Sequence, residues 1–268
     1  MAEVTILIPN YRTLELTQLC LRLIRQYTDP ALIKVIVIDN DSQDASLTYL
    51  RSLHWITLLE RPKVEGESAP LQHAKALDLA LTHVDTPYVL SIHTDTLVKH
   101  PDWLPFLLSH IKKNEKCAGV GSWKLEQKSW YQLFLKKLEQ SVQKMYYYLS
   151  RRKRHAIAGY GNNHFYLRSH CALYRTQLLK EHQLHFADGD EVAGKSMHRA
   201  LVNAGYQLEF LESEILLHYL DHINHATMVL NPELGASAQS IAQGRKRLAH
   251  RLAMVDMERV LANHNLDQ

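Results

Sequence analysis

Apolar residues along residues 1–100 alternate between two rhythms. Val4–Ile8 and Val35–Ile38 are short β-branched runs, closed by Pro9-Asn10 and by Asp39-Asn40-Asp41-Ser42. Such runs predict buried strands. Trp55–Leu59 and Tyr88–Ile92 have the same character. Between them the period changes to that of a helix. Leu16, Leu19, Cys20, Leu23 and Ile24 predict a helix over Thr13–Tyr27 with Thr13 as N-cap. Ser46–Leu53 and Pro70–His83 predict two more helices. Strands separated by helices imply right-handed parallel βαβ units. The predicted class is therefore α/β, a mostly parallel Rossmann-like central sheet flanked by helices.

After Pro101 the pattern loosens. Trp103–Ile111 predicts a helix and Ala118–Gly121 a strand. Trp130–Arg154 is basic and aromatic, with Leu133, Leu138, Val142, Met145 and Leu149 near helical spacing. It reads either as an ordinary amphipathic helix or as one whose basic end meets anionic headgroups or phosphates. Leu167–Tyr174, Tyr206–Leu211 and Ile215–Leu217 are expected strands. His198–Ala204 is an expected helix, stopped by Gly205. A helical, charged tail follows Ala236. The organisation expected is a core over 1–225, with halves 1–100 and 101–225, and a helical extension over 226–268.

Composition narrows the function. The 31 Lys+Arg nearly balance the 28 Asp+Glu, so whole-chain charge favours neither nucleic acid nor a membrane surface. Cys20, Cys117 and Cys171 are too few and too dispersed for a disulfide framework or zinc module. They are expected to be small buried residues in a reducing compartment. The start of the chain lacks signal-peptide features, and no window approaches a spanning helix. A cytoplasmic location is expected, with peripheral contact at the inner membrane face through 130–154.

Ligands of open α/β sheets lie beyond the carboxyl ends of the strands. Three such ends carry polar clusters: Pro9-Asn10-Tyr11-Arg12, Asp39-Asn40-Asp41-Ser42 and His93-Thr94-Asp95-Thr96. One cluster alone would read as turn chemistry; three at successive ends point to a site. Asp95 offers a hard oxygen ligand for Mg²⁺ or Mn²⁺, and His93 points the same way two positions earlier. Asp39 ends a strand where a carboxylate can accept from a ribose hydroxyl or base N–H. No G-x-G-x-x-G follows the first strand, which argues against a dinucleotide enzyme. Asp188-Gly189-Asp190-Glu191 precedes a helix and offers either a general base or a partner for the helix dipole. His218, Asp221, His222 and His225 cluster, with His218 and His222 at i, i+4. That spacing also suits a zinc hydrolase, but Tyr219 stands where H-E-x-x-H needs glutamate.

Taken in order, Ile6–Arg12, Val35–Ser42 with Asp44 and Ser46, Tyr88–Thr96, and Cys171–Arg175 followed by acids and a helix ending at Ala204-Gly205-Tyr206 resemble the family 2 glycosyltransferases of the GT-A fold. The likeness spans about 4–220. It implies a nucleotide-diphosphate-sugar donor, a divalent cation and an acceptor hydroxyl on a carbohydrate or lipid-linked molecule. It places Pro9, Tyr11 and Asp39 at base and ribose, with Asp41 supporting that loop. Asp95 matches the last acid of the D-x-D motif, with His93 replacing the first and either ligating or hydrogen-bonding. His218 falls near the metal. The expected donor-binding set is Pro9, Asn10, Tyr11, Arg12, Asp39, Asp41, His73, His93, Thr94 and Asp95. The metal set is Asp95, His93 and His218. Asp190 or Glu191 is the expected base of an inverting transfer. The alternatives on the residues are a nucleotidyltransferase or silent nucleotide-sugar binder on the same fold, and a hydrolase built on the histidines.

Overall fold

The computed structural model describes residues 1–125, 164–188, 192–223, 226–234 and 256–268, together with 237, 239, 241, 242, 244–246, 248 and 249. The helix expected over Trp130–Arg154 and the acids Asp190 and Glu191 lie outside the described residues.

The first half follows the periodicity closely. Strand β1 is Val4–Asn10, β2 is Ile33–Asp39, β3 is Thr57–Glu60 and β4 is Tyr88–Ile92. Helix α1 covers Leu14–Tyr27, α2 Ala45–Ser52 and α3 Ala69–Leu81. Caps explain two of these starts. Asp44 accepts from the Ser46 amide ahead of α2, and Ser68 accepts from the Leu71 amide ahead of α3, with Pro70 in the first turn. Thr13 precedes α1 as expected, but its side chain does not cap. Its hydroxyl lies 3.3 Å from Asn10 Oδ1 and 3.3 Å from Thr94 Oγ1, so it ties the helix start to two strand ends instead.

Further elements are β5 (Thr96–Val98), α4 (Trp103–Lys112), β6 (Cys117–Gly121), β7 (Cys171–Arg175), α5 (Thr176–Glu181), α6 (Lys195–Asn203), β8 (Gln207–Phe210), α7 (Ser213–Tyr219), β9 (Leu220–His222), α8 (Ala226–Leu230) and α9 (Met257–Ala262). Two differ from expectation. Residues 167–170, expected to be strand, form the approach to β7. Ile215–Leu217, expected to be a strand, lies inside α7. Only Leu216 of those three is buried, and Glu214 complements the helix dipole; one-sided burial favours a surface helix.

Seven strands form one sheet in the order β3-β2-β1-β4-β7-β6-β8. The β3-β2-β1-β4 half is parallel, β7 runs antiparallel between β4 and β6, and β6 and β8 are parallel. Both faces are covered, which explains the unbroken apolar runs. Ile6, Ile8, Val35, Val37, Leu90 and Ile92 face α1 and α4. Leu7, Ile36, Ile38 and Val89 face α3 on the other side. Each such side chain contributes roughly 1.5–3 kcal/mol through burial. Cys20, Cys117 and Cys171 are free and buried within these layers.

A second, two-stranded sheet pairs β5 with β9, antiparallel, in the register Thr96↔His222, Leu97↔Asp221, Val98↔Leu220. The Ile223 amide extends it by donating to Asp95 O at 3.0 Å. This small ladder carries a late segment of the chain to the carboxyl end of β4.

The carboxyl end of the chain packs back on α1. Arg22, only 1% exposed, donates through Nε to Asp267 Oδ1 at 2.8 Å and through Nη2 to Oδ2 at 2.5 Å. It also donates to the Val260 and Leu261 carbonyls. Tyr49 on α2 donates to Asp267 Oδ1 at 2.7 Å. Among the described residues no helix is long and apolar enough to cross a membrane.

Candidate active site

The carboxyl ends of β1 and β2 lie level, with Asn10 opposite Asp39 in register. Asn10 is buried, and its amide nitrogen contacts Asp39 Oδ1 at 2.7 Å, Ser46 Oγ at 3.0 Å and Ser42 Oγ at 3.2 Å. Its carbonyl accepts from Thr17 at 2.7 Å. One amide thus bonds the β1 end to the β2 loop and to α1. The Asp39 carboxylate also accepts from the Ser42 amide at 2.9 Å. Asp39 is 1% exposed and lies beneath the loop, outside the cavity lining. Its neighbour Asn40 faces the opening, with Oδ1 buried and without a partner. Asp41 and Arg12 belong to the same two loops but do not line the opening. Asp41 accepts from Gln43, while Arg12 donates to the Ser42 carbonyl at 2.9 Å and lies over the Tyr11 ring.

Beyond these ends lies a cavity of about 470 Å³. Pro9, Asn10, Tyr11 and Asn40 line one end of it, and His73, His93, Thr94 and Asp95 its middle. Tyr166, Arg168, Ser169 and His170, preceding β7, line the wall beside that middle.

At the middle, His93, Asp95 and His222 each present a ligand atom, all within 4.8 Å of one another. His222 Nε2 is 3.3 Å and His93 Nδ1 3.8 Å from Asp95 Oδ1. Neither approach has hydrogen-bond geometry: Asp95 Oδ1 is buried and unpartnered, as is His222 Nδ1. Its other oxygen accepts from the Ala226 amide at 3.3 Å. Burial alone would raise the Asp95 carboxyl, but the facing His222 and His93 imidazoles and that amide outweigh it and hold it below the usual carboxylate range.

Burial disfavours the charged form of three neighbouring histidines, His93, His170 and His73. Desolvation, then the neighbouring His73, lowers His93 well below its ordinary value. His93 keeps 31% of its side chain open, so this is the desolvation of a narrow cleft and not of a filled core. His170 is lowered in the same way by burial and by His222, on which its ring stacks at 4.4 Å. His73 is lowered to about 4 by burial. The Ser169 hydroxyl sits 2.9 Å from His93 Nε2 and 3.1 Å from His73 Nε2. Engaging Nε2 leaves His93 Nδ1 turned to Asp95, the outer-shell support that metal-ligating imidazoles have. A buried, unpartnered carboxylate oxygen with two imidazoles around it is a donor set that fits a divalent cation.

His218 does not belong to this group. It is exposed on α7, 5.1 Å from the His100 ring and 5.1 Å from that of Tyr219. The i, i+4 relation of His218 and His222 is broken because α7 ends at Tyr219 and His222 lies in β9. His222, and not His218, stands with His93 and Asp95.

A family model described as Glycosyl transferase family 2 matches residues 5–183. The chain belongs to glycosyl transferase family 2. Solved structures similar to this family 2 chain have the GT-A fold. One is the mannosyltransferase PcManGT from Pyrobaculum calidifontis in complex with GDP-Man and Mn²⁺, at 18% identity and TM-score 0.53. The alignment covers 78% of this chain and 54% of that one, so the chain spans about half of that protein's length. Another is S. aureus TarS 1–349, at 15% identity and TM-score 0.52, covering 98% and 75%. A third is glucosyl-3-phosphoglycerate synthase from Mycobacterium tuberculosis with phosphoglyceric acid, at 16% identity and TM-score 0.51, covering 91% and 78%. A search of the curated proteins gave no match.

Within this glycosyltransferase fold, seven expected donor-site residues line one cavity: Pro9, Asn10, Tyr11, His73, His93, Thr94 and Asp95. Arg12, Asp39 and Asp41 build its rim or foundation. Arg168, Ser169 and His170 went unnoticed in the sequence. Their one signal there is a polar Arg-Ser-His run directly before an apolar strand.

Proposed function

We propose that this chain transfers a glycosyl group from a nucleoside-diphosphate sugar to an acceptor hydroxyl, with inversion and with a divalent cation. The observation that carries this reading is the Asp95–His93–His222 group in the middle of the cleft, between the β1/β2 ends and the β7 approach.

In this reading the Tyr11 ring and Asn40 Oδ1 receive the nucleoside, the latter accepting from a ribose hydroxyl or base N–H. Asn10 and Asp39 hold that loop in place. Asp95, His93 and His222 hold the cation, which supplies positive charge where the nucleoside diphosphate leaves. Ser169 and His73 keep His93 oriented. On sequence position, Asp190 or Glu191 takes the acceptor proton. Residues 1–225 form the catalytic unit and 226–268 an extension bound through Arg22 and Asp267. The donor is a hexosyl nucleotide and the acceptor a carbohydrate or lipid-linked molecule, reached from the cytoplasmic face with 130–154 near the membrane.

Thermal denaturation with UDP, GDP or dTDP, each with and without Mn²⁺, tests the reading. A ligand that binds only the folded state raises stability. Metal-dependent stabilisation by one diphosphate, followed by product formation from its sugar nucleotide, is expected. Stabilisation by zinc with no response to any diphosphate would contradict it.

A further inference from the structure

The cleft wall formed by the approach to β7 carries Arg168, a cation without a counter-charge among the described residues. Arg168 enters that wall from a rigid backbone position: its amide donates to the Ser122 carbonyl at 3.0 Å, and its own carbonyl accepts from the Cys171 amide at 3.1 Å. These two bonds fix it between the end of β6 and the start of β7. Its guanidinium lies over two aromatic rings, 4.5 Å from the Trp123 centroid and 5.7 Å from that of Tyr166. The rings brace each other at 5.0 Å. Such stacking orients the planar group and leaves its edge donors free. Among the described residues the guanidinium has no hydrogen-bond or ion-pair partner, and its Nε is buried. The charge reaches inward: it helps keep His93 and His170 neutral.

Arg168 is part-buried and lines the cavity, so an anionic ligand group is a natural partner for its guanidinium. The sheet order indicates which ligand. Along the sheet, β2 and β1 provide the nucleoside end, β4 the cation group, and β7 and β6 the Arg168 wall. A donor laid from the first to the second leaves the third position for the acceptor. A neutral acceptor would leave the Arg168 fork unmatched. A phosphate or carboxylate would match it through paired N–H···O bonds.

We propose that Arg168, braced by Trp123 and Tyr166, is an anion-recognition residue for the acceptor, and that the acceptor carries a phosphate or carboxylate close to the reacting hydroxyl. This rests on the glycosyltransferase reading for the word acceptor. The anion site itself does not depend on it.

The test uses the full chain, with Arg168→Gln and Arg168→Lys, and inorganic phosphate as probe. Phosphate is titrated in chelator at constant ionic strength. UDP and GDP with Mn²⁺ are titrated separately. Expected is saturable phosphate binding in the wild type, weakened at least about tenfold in Arg168→Gln, with Arg168→Lys between. Nucleoside diphosphate affinity should change by less than about twofold. No phosphate binding in the wild type, or binding indifferent to Arg168→Gln, overturns the proposal. So does a comparable loss of nucleoside diphosphate affinity, which would assign Arg168 to the donor. A wild type that binds phosphate but no nucleoside diphosphate with any metal keeps the anion site and removes the glycosyltransferase reading. Arg168→Lys keeps the charge but not the planar, stacking fork, and unchanged melting temperatures of both variants separate lost recognition from lost folding.

Discussion

His222 Nε2 stands 3.3 Å from Asp95 Oδ1, although the two residues come from β9 and from the end of β4. The β5–β9 ladder makes this meeting, since Thr96 and His222 are direct partners in it. The cation group therefore depends on a pairing between early and late parts of the chain. Asp95→Asn and His222→Ala should each remove the Mn²⁺-linked rise in melting temperature. Each should lower transfer at least about 100-fold, or about 3 kcal/mol of transition-state stabilisation. His218→Ala should leave both unchanged. Loss of the Mn²⁺ response in His218→Ala would reassign the third ligand.

Two imidazoles and one carboxylate form a nitrogen-rich set. Mg²⁺ prefers oxygen ligands and keeps its water, whereas Mn²⁺, Co²⁺ and Zn²⁺ accept imidazole more readily. Calorimetric titration without nucleotide should give affinities that rise from Mg²⁺ through Mn²⁺ to Co²⁺, with Co²⁺ absorption bands showing nitrogen ligation. Equal or tighter Mg²⁺ binding would contradict this donor set.

Arg22 is buried, and its guanidinium is paired with Asp267. Replacing it with Leu leaves the Asp267 carboxylate and two carbonyls without their donor. The cost expected is about 3–5 kcal/mol, with melting lowered by roughly 2–4 °C for each kcal/mol. Residues 256–268 should become sensitive to limited proteolysis. Burial would raise the Asp267 carboxyl, but the Arg22 fork and the Tyr49 hydroxyl outweigh it and lower it. A lowered carboxyl stabilises above its unfolded value, about 3.9, and loses that contribution as pH falls further. The deficit of Arg22→Leu should therefore persist at pH 7 and pH 5 and shrink below about pH 4.

His73 and His198 are both lowered to about 4, His73 by burial and His198 by burial and the nearby His164. Between the ordinary histidine value of about 6.5 and that point, the unfolded chain binds protons that the folded chain refuses. Stability contributed by these neutral rings is complete above about pH 6.5 and declines toward pH 4. Melting temperature recorded across this range should fall on acidification. His73→Gln, which does not titrate, should flatten part of the slope.

Much of the architecture is determined by local pattern. The β-branched runs Val4–Ile8 and Val35–Ile38, the helical spacing from Leu16 to Ile24, and the polar residues closing each run specify elements and the strand ends where a ligand sits. These signals are local because side-chain period and turn chemistry involve a few neighbouring residues. Pro9, Tyr11, His93 and Asp95 were legible for that reason. What the tertiary structure decided is which distant residues meet there. Only the β5–β9 register selects His222 over His218, because period alone cannot say where α7 stops and pairing begins. Only the packing of β7 between β4 and β6 brings Arg168 to the cleft. The engagement of Asp39 by Asn10 likewise depends on two distant strands lying side by side. Such contacts follow from long-range pairing and burial, and no short window of sequence contains them.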